Sequence, residues 1–346
     1  MHLEIELTSK NPSILISGAT GLVGAHLTAT LALQGQSVRA LRRGNSNMQA
    51  VKEVFSFYTD AYENLFNQIE WVEADILDVP ALSTVFEGIK QVYHCAATVS
   101  FAKKDYETMR KVNIEGTANM VNLAMEFGVG KFCHVSSIAT IDKNESSNVI
   151  TETNEWNPEN NNYSYAITKY GAEMEVWRAT QEGLKVVIVN PGVILGSGFW
   201  HHNTGKFFPM SDKGLKFYTE GTTGFVGVQD VVRAMIALMQ SNINNERFIV
   251  VSENWSFKTL FETISKYLGT NPPTVNVQPW MAEMAWRWDT LKSIILGNEP
   301  TFTKHAARAS LQKYNYSSQK INEKLVFEFE KMDKVVEEIA KDFRKP

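Results

Sequence analysis

Three glycines spaced three apart, Gly18, Gly21 and Gly24, separate an apolar run, Ser13 to Ser17, from a helical pattern that begins near Leu22. Few folds accept that arrangement. Gly18 allows a tight turn off a strand, Gly21 lets backbone approach a pyrophosphate, and Gly24 lets the new helix lie against the sheet. Leu22, Val23, His26, Leu27, Thr30 and Leu31 recur at helical spacing as far as about Gln34, and Ser37 to Leu41 reads as a second strand. The segment therefore predicts a βαβ unit. Unpaired N–H groups in the turn and first helical residues, from Thr20 through Leu22 and Val23, favour an anion at that place, so a bound dinucleotide is expected.

The acidic residue that grips an adenosine ribose should fall about twenty residues after such a turn. Here that place holds Arg42 and Arg43, with no Asp or Glu from Gln36 to Lys52. Guanidinium groups bind a 2′-phosphate with paired hydrogen bonds, whereas a carboxylate repels it. NADP(H) is expected over NAD(H); the alternative is a solvated basic turn.

Strand and helix patterns continue to alternate as far as residue 192, which predicts an α/β, Rossmann-type doubly wound parallel sheet. Asp75 and Ile76 follow a strand ending near Glu73. They would accept from the adenine amino group and cover its ring, or Asp75 would cap the helix from Val79 to Phe86. Ala96 and Ala97 leave room for a ribose or phosphate on the backbone at the end of Gln91 to His94. A long helix, about Asp105 to Phe127, carries Asn113, an amide that needs a partner. The strand from Lys131 delivers Ser136 and Ser137. A polar connection from Asp142 to Asn162 is long enough to be a substrate loop. Next comes a helix to about Gln181 in which Tyr165 and Lys169, at i and i+4, share a face. The strand from Lys185 closes on Asn190, Pro191 and Gly192. Beyond Val193 the alternation breaks down. Residues 1–192 and about 225–252 are expected to bind the dinucleotide, and 193–224 and 253–346 to form a smaller, mostly helical substrate lobe.

A tyrosine hydroxyl near pKa 10 needs positive charge beside it to act as an acid or base at neutral pH, and Lys169 stands one turn away. Together with the glycine turn and the Ser-Ser strand end, this set resembles the extended short-chain dehydrogenase/reductase family, also called NAD-dependent epimerase/dehydratases. The resemblance covers almost the whole chain: the glycine turn, Asp75-Ile76, His94-x-Ala96-Ala97, Lys111-Val-Asn113-x-x-Gly-Thr, Val135-Ser136-Ser137, Tyr165-x-x-x-Lys169 and Asn190-Pro191-Gly192. It implies that Tyr165 is the general acid/base, that Lys169 holds the ribose and tunes it, and that Ser137 positions the carbonyl. It also implies that Asn113 supports a buried water relay, and that Ser136, Pro191 and Val193 join the cofactor contacts. The branch most similar is that of dihydroflavonol reductases and 3β-hydroxysteroid dehydrogenases. Ser17, where Thr is commoner, and Gly227, where a polar residue is usual, depart from the pattern.

With 346 residues, 44% hydrophobic, 21% charged and a net charge of −4, composition fits a soluble enzyme and gives no global reason to expect nucleic acid. Cys95 and Cys133, without metal-binding spacing, are expected as buried thiols in a reducing cytoplasm, with no integral membrane segment. The expected substrate is a small carbonyl or alcohol on an apolar or aromatic molecule. Phe199-Trp200, Phe207-Phe208 and a helix near Trp280 motivate this, the helix carrying Met281, Met284, Ala285, Trp288, Leu291 and Ile295 on one stripe. That stripe could instead be ordinary core, a membrane surface or a homodimer face. A nucleotide-sugar epimerase or dehydratase, and a dinucleotide sensor without turnover, are the other readings.

Overall fold

The computed structural model describes residues 12–143, 147–160, 162–296, 307 and 309–345. Seven parallel strands form one sheet, in the spatial order Glu246–Val250, Val186–Pro191, Lys131–Val135, Gln91–His94, Ile14–Ser17, Val38–Arg42, Glu70–Glu73. Ile14–Ser17 and Val186–Pro191 are buried along their whole length, as strands covered on both faces must be. Period-two alternation divides the core. Ile14 and Ile16 pack with Leu27, Val54 and Met235 on one side, while Leu15 packs with Leu82, Met120 and Val176 on the other. Each such fully buried aliphatic side chain contributes about 1.5–3 kcal/mol. Chain order reverses between Ile14–Ser17 and Gln91–His94, the crevice where open α/β sheets bind ligands.

The helix Leu22–Leu33 differs from its expected amphipathic form. Gly24 to Ala29, Leu31 and Ala32 are all buried, because the helices Met48–Ser56 and Val228–Gln240 enclose it. The expected helix after Asp105 is interrupted. Tyr106–Met109 and Gly116–Glu126 are joined by a π-helical stretch, Arg110–Glu115. The wider turn carries the buried Asn113.

Thr222–Gly227 pairs with Val193–Leu195 and Glu253–Ser256 in a separate three-stranded sheet. Residues 225–227, read from sequence as part of the large domain, thus belong to the small sheet. Its layer is closed by the helices Phe257–Leu268 and Met332–Phe343 around Phe208, Phe225, Leu260 and Val336. Ser256 caps the first of these by accepting from Thr259 N at 3.0 Å. Trp200 packs edge-on against Phe208 and Phe343, so this expected substrate-wall residue is half-buried against the small lobe's core. Two short parallel pairs, Phe217–Tyr218 with Val275–Asn276 and Val149–Ile150 with Asn315–Tyr316, tie the long connections down. Among the described residues no helix is long and apolar enough to cross a membrane.

Candidate active site

A cleft of about 2260 Å³ runs from the glycine turn, past the strand ends at Cys95, Ser137 and Pro191, to the small lobe. Gly18 has φ +68°, and a Cβ there would lie 2.5 Å from Ala96 N. A Cβ on Gly24 would lie 2.1 Å from Gly18 O. Both are demanded by the protein's own packing. Gly21 is exposed and would tolerate a Cβ at 3.5 Å, so its bare face is turned outward. It begins the helix without a side-chain cap, and Leu22 and Val23 after it line the cleft. That cradle fits a diphosphate. Thr20 stands back from the wall, its Oγ1 3.2 Å from Ser46 Oγ. Ala97, Pro191 and Val193 line the cleft, while Ala96 packs into the core under the turn.

Around the second and third strands the structure corrects the sequence reading. Arg42 forms an ion pair with Glu73 at 2.9 Å. A carboxylate therefore does stand beside the basic turn, brought from the neighbouring strand. Among the described residues the exposed Arg43 guanidinium has no such partner; its backbone N–H bonds to Ser46 Oγ at 3.0 Å. Asp75 accepts from Leu77 N at 2.9 Å, and the cap of Val79–Val85 is Asp78, not Asp75. Ile76 faces inward: a Cβ on Gly116 would lie 2.5 Å from its Cδ1. It is core rather than a lid over a ring.

Tyr165 and Lys169 lie on the helix Ser164–Gln181, whose buried stripe includes Ala166, Ala172, Val176 and Ala179. Gly171 lets this helix close on Ile114 of the π-helical stretch. Tyr165 and Ser137 line the cleft together; burial raises the phenol above its usual value near 10, and the Ser137 side chain opposes the rise. The two adjacent serines diverge. Ser137 also accepts from Ala139 N at 3.1 Å, while Ser136 Oγ is buried and donates to Glu173 at 2.5 Å. Lys169, 2% exposed, donates to the Val135 carbonyl at 2.7 Å. Burial lowers its ammonium to about 8, with Glu173 and Cys95 opposing.

Asn113 does not line the cleft. It accepts from Thr98 N at 2.7 Å and donates to Thr98 O and Thr168 Oγ1, each at 3.0 Å. Thr168 in turn donates to the Tyr165 carbonyl at 3.0 Å. Asn113 thus clamps the loop after Gln91–His94 to the Tyr165 helix. Behind it His94 lies between Ser17 Oγ at 2.6 Å and Thr117 Oγ1 at 2.9 Å, and burial, then Lys169, lowers it to about 3. It stays neutral.

The outer half of the cleft is apolar. Phe101, Tyr163 and Tyr165 stack in succession, with centroids 5.7 and 6.1 Å apart. Opposite in the lining, the helix Pro279–Leu296 presents Trp280, Met284 and Trp288, which are 64%, 62% and 71% exposed. Trp280 joins the wall although the sequence stripe excluded it; the side chains of Leu291 and Ile295 lie outside the described residues. Lys143, Lys206, Arg287 and Lys313 also reach the lining, more cations than the loop from Gly192 to Gly227 supplies by itself.

The sequence reading missed Glu173. Its signal was a carboxylate one turn beyond Lys169, on a face otherwise filled by Ala and Val.

The sequence profile of the NAD-dependent epimerase/dehydratase family matches residues 14–251. A Synechocystis sp. protein provisionally named dihydroflavonol 4-reductase is 28% identical over 322 residues, covering 90% of this chain and 88% of its own. Cinnamoyl-CoA reductase 2 of Medicago truncatula is 24% identical over 270 residues, covering 75% and 78%. The UDP-glucose 4-epimerase of Thermotoga maritima, solved with UDP-glucose, shares the fold with a TM-score of 0.75 and 22% identity, over 96% of this chain and 98% of that one. On the extent of the family match and on these reductase relatives, the chain belongs to the NAD-dependent epimerase/dehydratase family and is an NAD(P)-dependent enzyme of the extended short-chain dehydrogenase/reductase type.

Proposed function

We propose that the protein reduces a carbonyl, or oxidises the corresponding alcohol, on a largely apolar or aromatic small molecule, with Tyr165 as the acid/base. The Tyr165–Ser137 hydroxyl pair, opening on an aromatic wall at one end and the glycine turn at the other, carries this reading. The turn, the Leu22 and Val23 amides and Lys169 hold the dinucleotide, which supplies the hydride when bound. Ser137 holds the substrate oxygen against Tyr165, whose proton passes to that oxygen as the carbonyl is reduced. Lys169 stabilises the phenolate left behind. Asn113 acts one step back, by fixing the helix that presents Tyr165. Residues 1–192 with 228–252 serve the cofactor, and the rest of the chain serves the substrate.

NADP(H) is proposed over NAD(H), with Arg43 as the guanidinium available to a 2′-phosphate. A charge-assisted hydrogen bond contributes about 1.5–3 kcal/mol, enough for roughly a tenfold preference. Titration of both cofactors should show that preference, Arg43→Ala should erase most of it, and Glu73→Gln should widen it by releasing Arg42. A preference for NAD(H) that Arg43→Ala leaves unchanged would remove the assignment.

The four cations in the cleft lining besides Lys169 favour a second reading, a nucleotide-sugar epimerase or dehydratase, because a sugar diphosphate needs such groups. Competition on the NADPH-loaded protein separates the two. Aryl and steroid-like ketones are expected to bind and to oxidise NADPH, whereas tight binding of UDP-sugars with no response to those ketones would transfer the assignment to the epimerase.

A further inference from the structure

We propose that Glu173 is a positioning residue for this reaction: it holds the hydroxyl of one of two adjacent serines and supplies the countercharge to the buried Lys169 ammonium. The proposal rests on the reading that Tyr165 and Lys169 carry the chemistry.

Tyr165, Lys169 and Glu173 fall at i, i+4 and i+8 of one helix, so they share its inner face. Glu173 is completely buried, yet polar groups of five residues converge on it. Ser136 Oγ at 2.5 Å, Thr140 Oγ1 at 2.9 Å and Asn190 Nδ2 at 3.0 Å meet Oε2. Trp177 Nε1 at 3.3 Å and Arg247 Nη1 at 3.2 Å meet Oε1. Four of these five residues belong to the large sheet or to the turn after its strand Lys131–Val135, and a buried ion pair alone is weak evidence of a stabilising role. Its placement is more informative. Asn190 Nδ2 and Thr140 Oγ1 also reach the Ser137 carbonyl, at 3.1 and 2.9 Å. The carboxylate therefore fixes Ser136 by its side chain and Ser137 by its backbone. Ser137 is left with its hydroxyl toward Tyr165.

Lys169 gives its recorded hydrogen bond to a neutral carbonyl, that of Val135. The groups that act on it or feel its charge are Glu173 on its own helix, Cys95 beyond the fourth strand, and His94 and His134 on the strands behind. Both histidines are held neutral by burial and the lysine's own charge, and Cys95 is raised to about 12. Glu173 is the carboxylate among these, and Arg247 Nη1 pairs with its Oε1 at 3.2 Å.

Glu173→Gln and the double variant Glu173→Gln/Arg247→Met, which leaves no buried guanidinium unpaired, test this with the full-length enzyme. Both are expected to keep the wild-type far-UV CD spectrum. Both should lower kcat for carbonyl reduction by roughly tenfold to a hundredfold. The alkaline limb of kcat against pH should move down by about one unit or more, because Lys169 loses its proton earlier without its countercharge. Wild-type limbs in both variants overturn the proposal. So does restoration of rate and limb in the double variant, which would reduce Glu173 to a partner for Arg247. Failure of both to fold also overturns it, since the residue would then serve the fold. Normal turnover by Tyr165→Phe is a different result: it removes the underlying reading, whatever the Glu173 variants do.

Discussion

Tyr165→Phe is expected to lower kcat by a factor of about 10²–10⁴, the usual cost of losing a positioned acid, with dinucleotide affinity unchanged. The substitution removes one hydroxyl and keeps the ring that stacks on Tyr163 at 6.1 Å. Ser137 retains its bond from Ala139 N, so the strand end has no reason to move. Steady-state rates and a cofactor titration on the same preparation check both halves. Normal turnover would assign the proton to another group. A large drop in Tm with a proportionate loss of cofactor binding would make Tyr165 a packing residue instead.

Lys169→Met should damage binding and catalysis together, and it should change how stability depends on pH. In the folded protein burial lowers Lys169 from 10.5 to about 8. The folded value lies below the unfolded one, so the buried charge opposes folding at lower pH, and the penalty fades as pH rises from about 8 toward 10.5. Stability gained across that window is on the order of 3 kcal/mol for a shift of this size. Thermal denaturation of the cofactor-free proteins from pH 7 to 10 should show this upward slope in the wild type and its absence in the methionine variant. The variant should also bind the dinucleotide roughly tenfold more weakly or worse, for want of one charge-assisted hydrogen bond. Parallel slopes in the two proteins would mean that Lys169 titrates alike in the folded and unfolded chains, and would remove the burial penalty from this account.

Features set by neighbouring residues are legible in this sequence; features set across the sheet are not. The glycine turn is local, and its three positions follow from a strand, a turn and a helix within a dozen residues. The Tyr165–Lys169 spacing is local too. By contrast, Arg42 meets Glu73 because the second and third strands pair in parallel register, Arg42 opposite Glu73. A search of the chain near Arg42 misses that carboxylate. Ser136 and Ser137 look alike in sequence and are separated by Glu173, which lies 37 residues beyond Ser136. Ile76 is drawn inward by the bare face of Gly116, and Leu22–Leu33 is enclosed by two helices that come later in the chain, Met48–Ser56 and Val228–Gln240. Trp200 belongs to a core that needs Phe343, near the other end of the described chain.

The small sheet has a consequence for how the protein is made. Its central strand, Thr222–Gly227, waits for Glu253–Ser256, and Ser318 must donate to the Val251 carbonyl at 2.8 Å before the edge of the large sheet is secured. Synthesis at about 5–20 residues per second releases the glycine turn and Tyr165 well before those partners. A nascent chain therefore exposes Phe101, Tyr163 and the other aromatic groups of the wall for several seconds, with no opposing lobe to cover them. Slowing elongation between residues 200 and 320 would prolong that exposure and the risk of aggregation that goes with it.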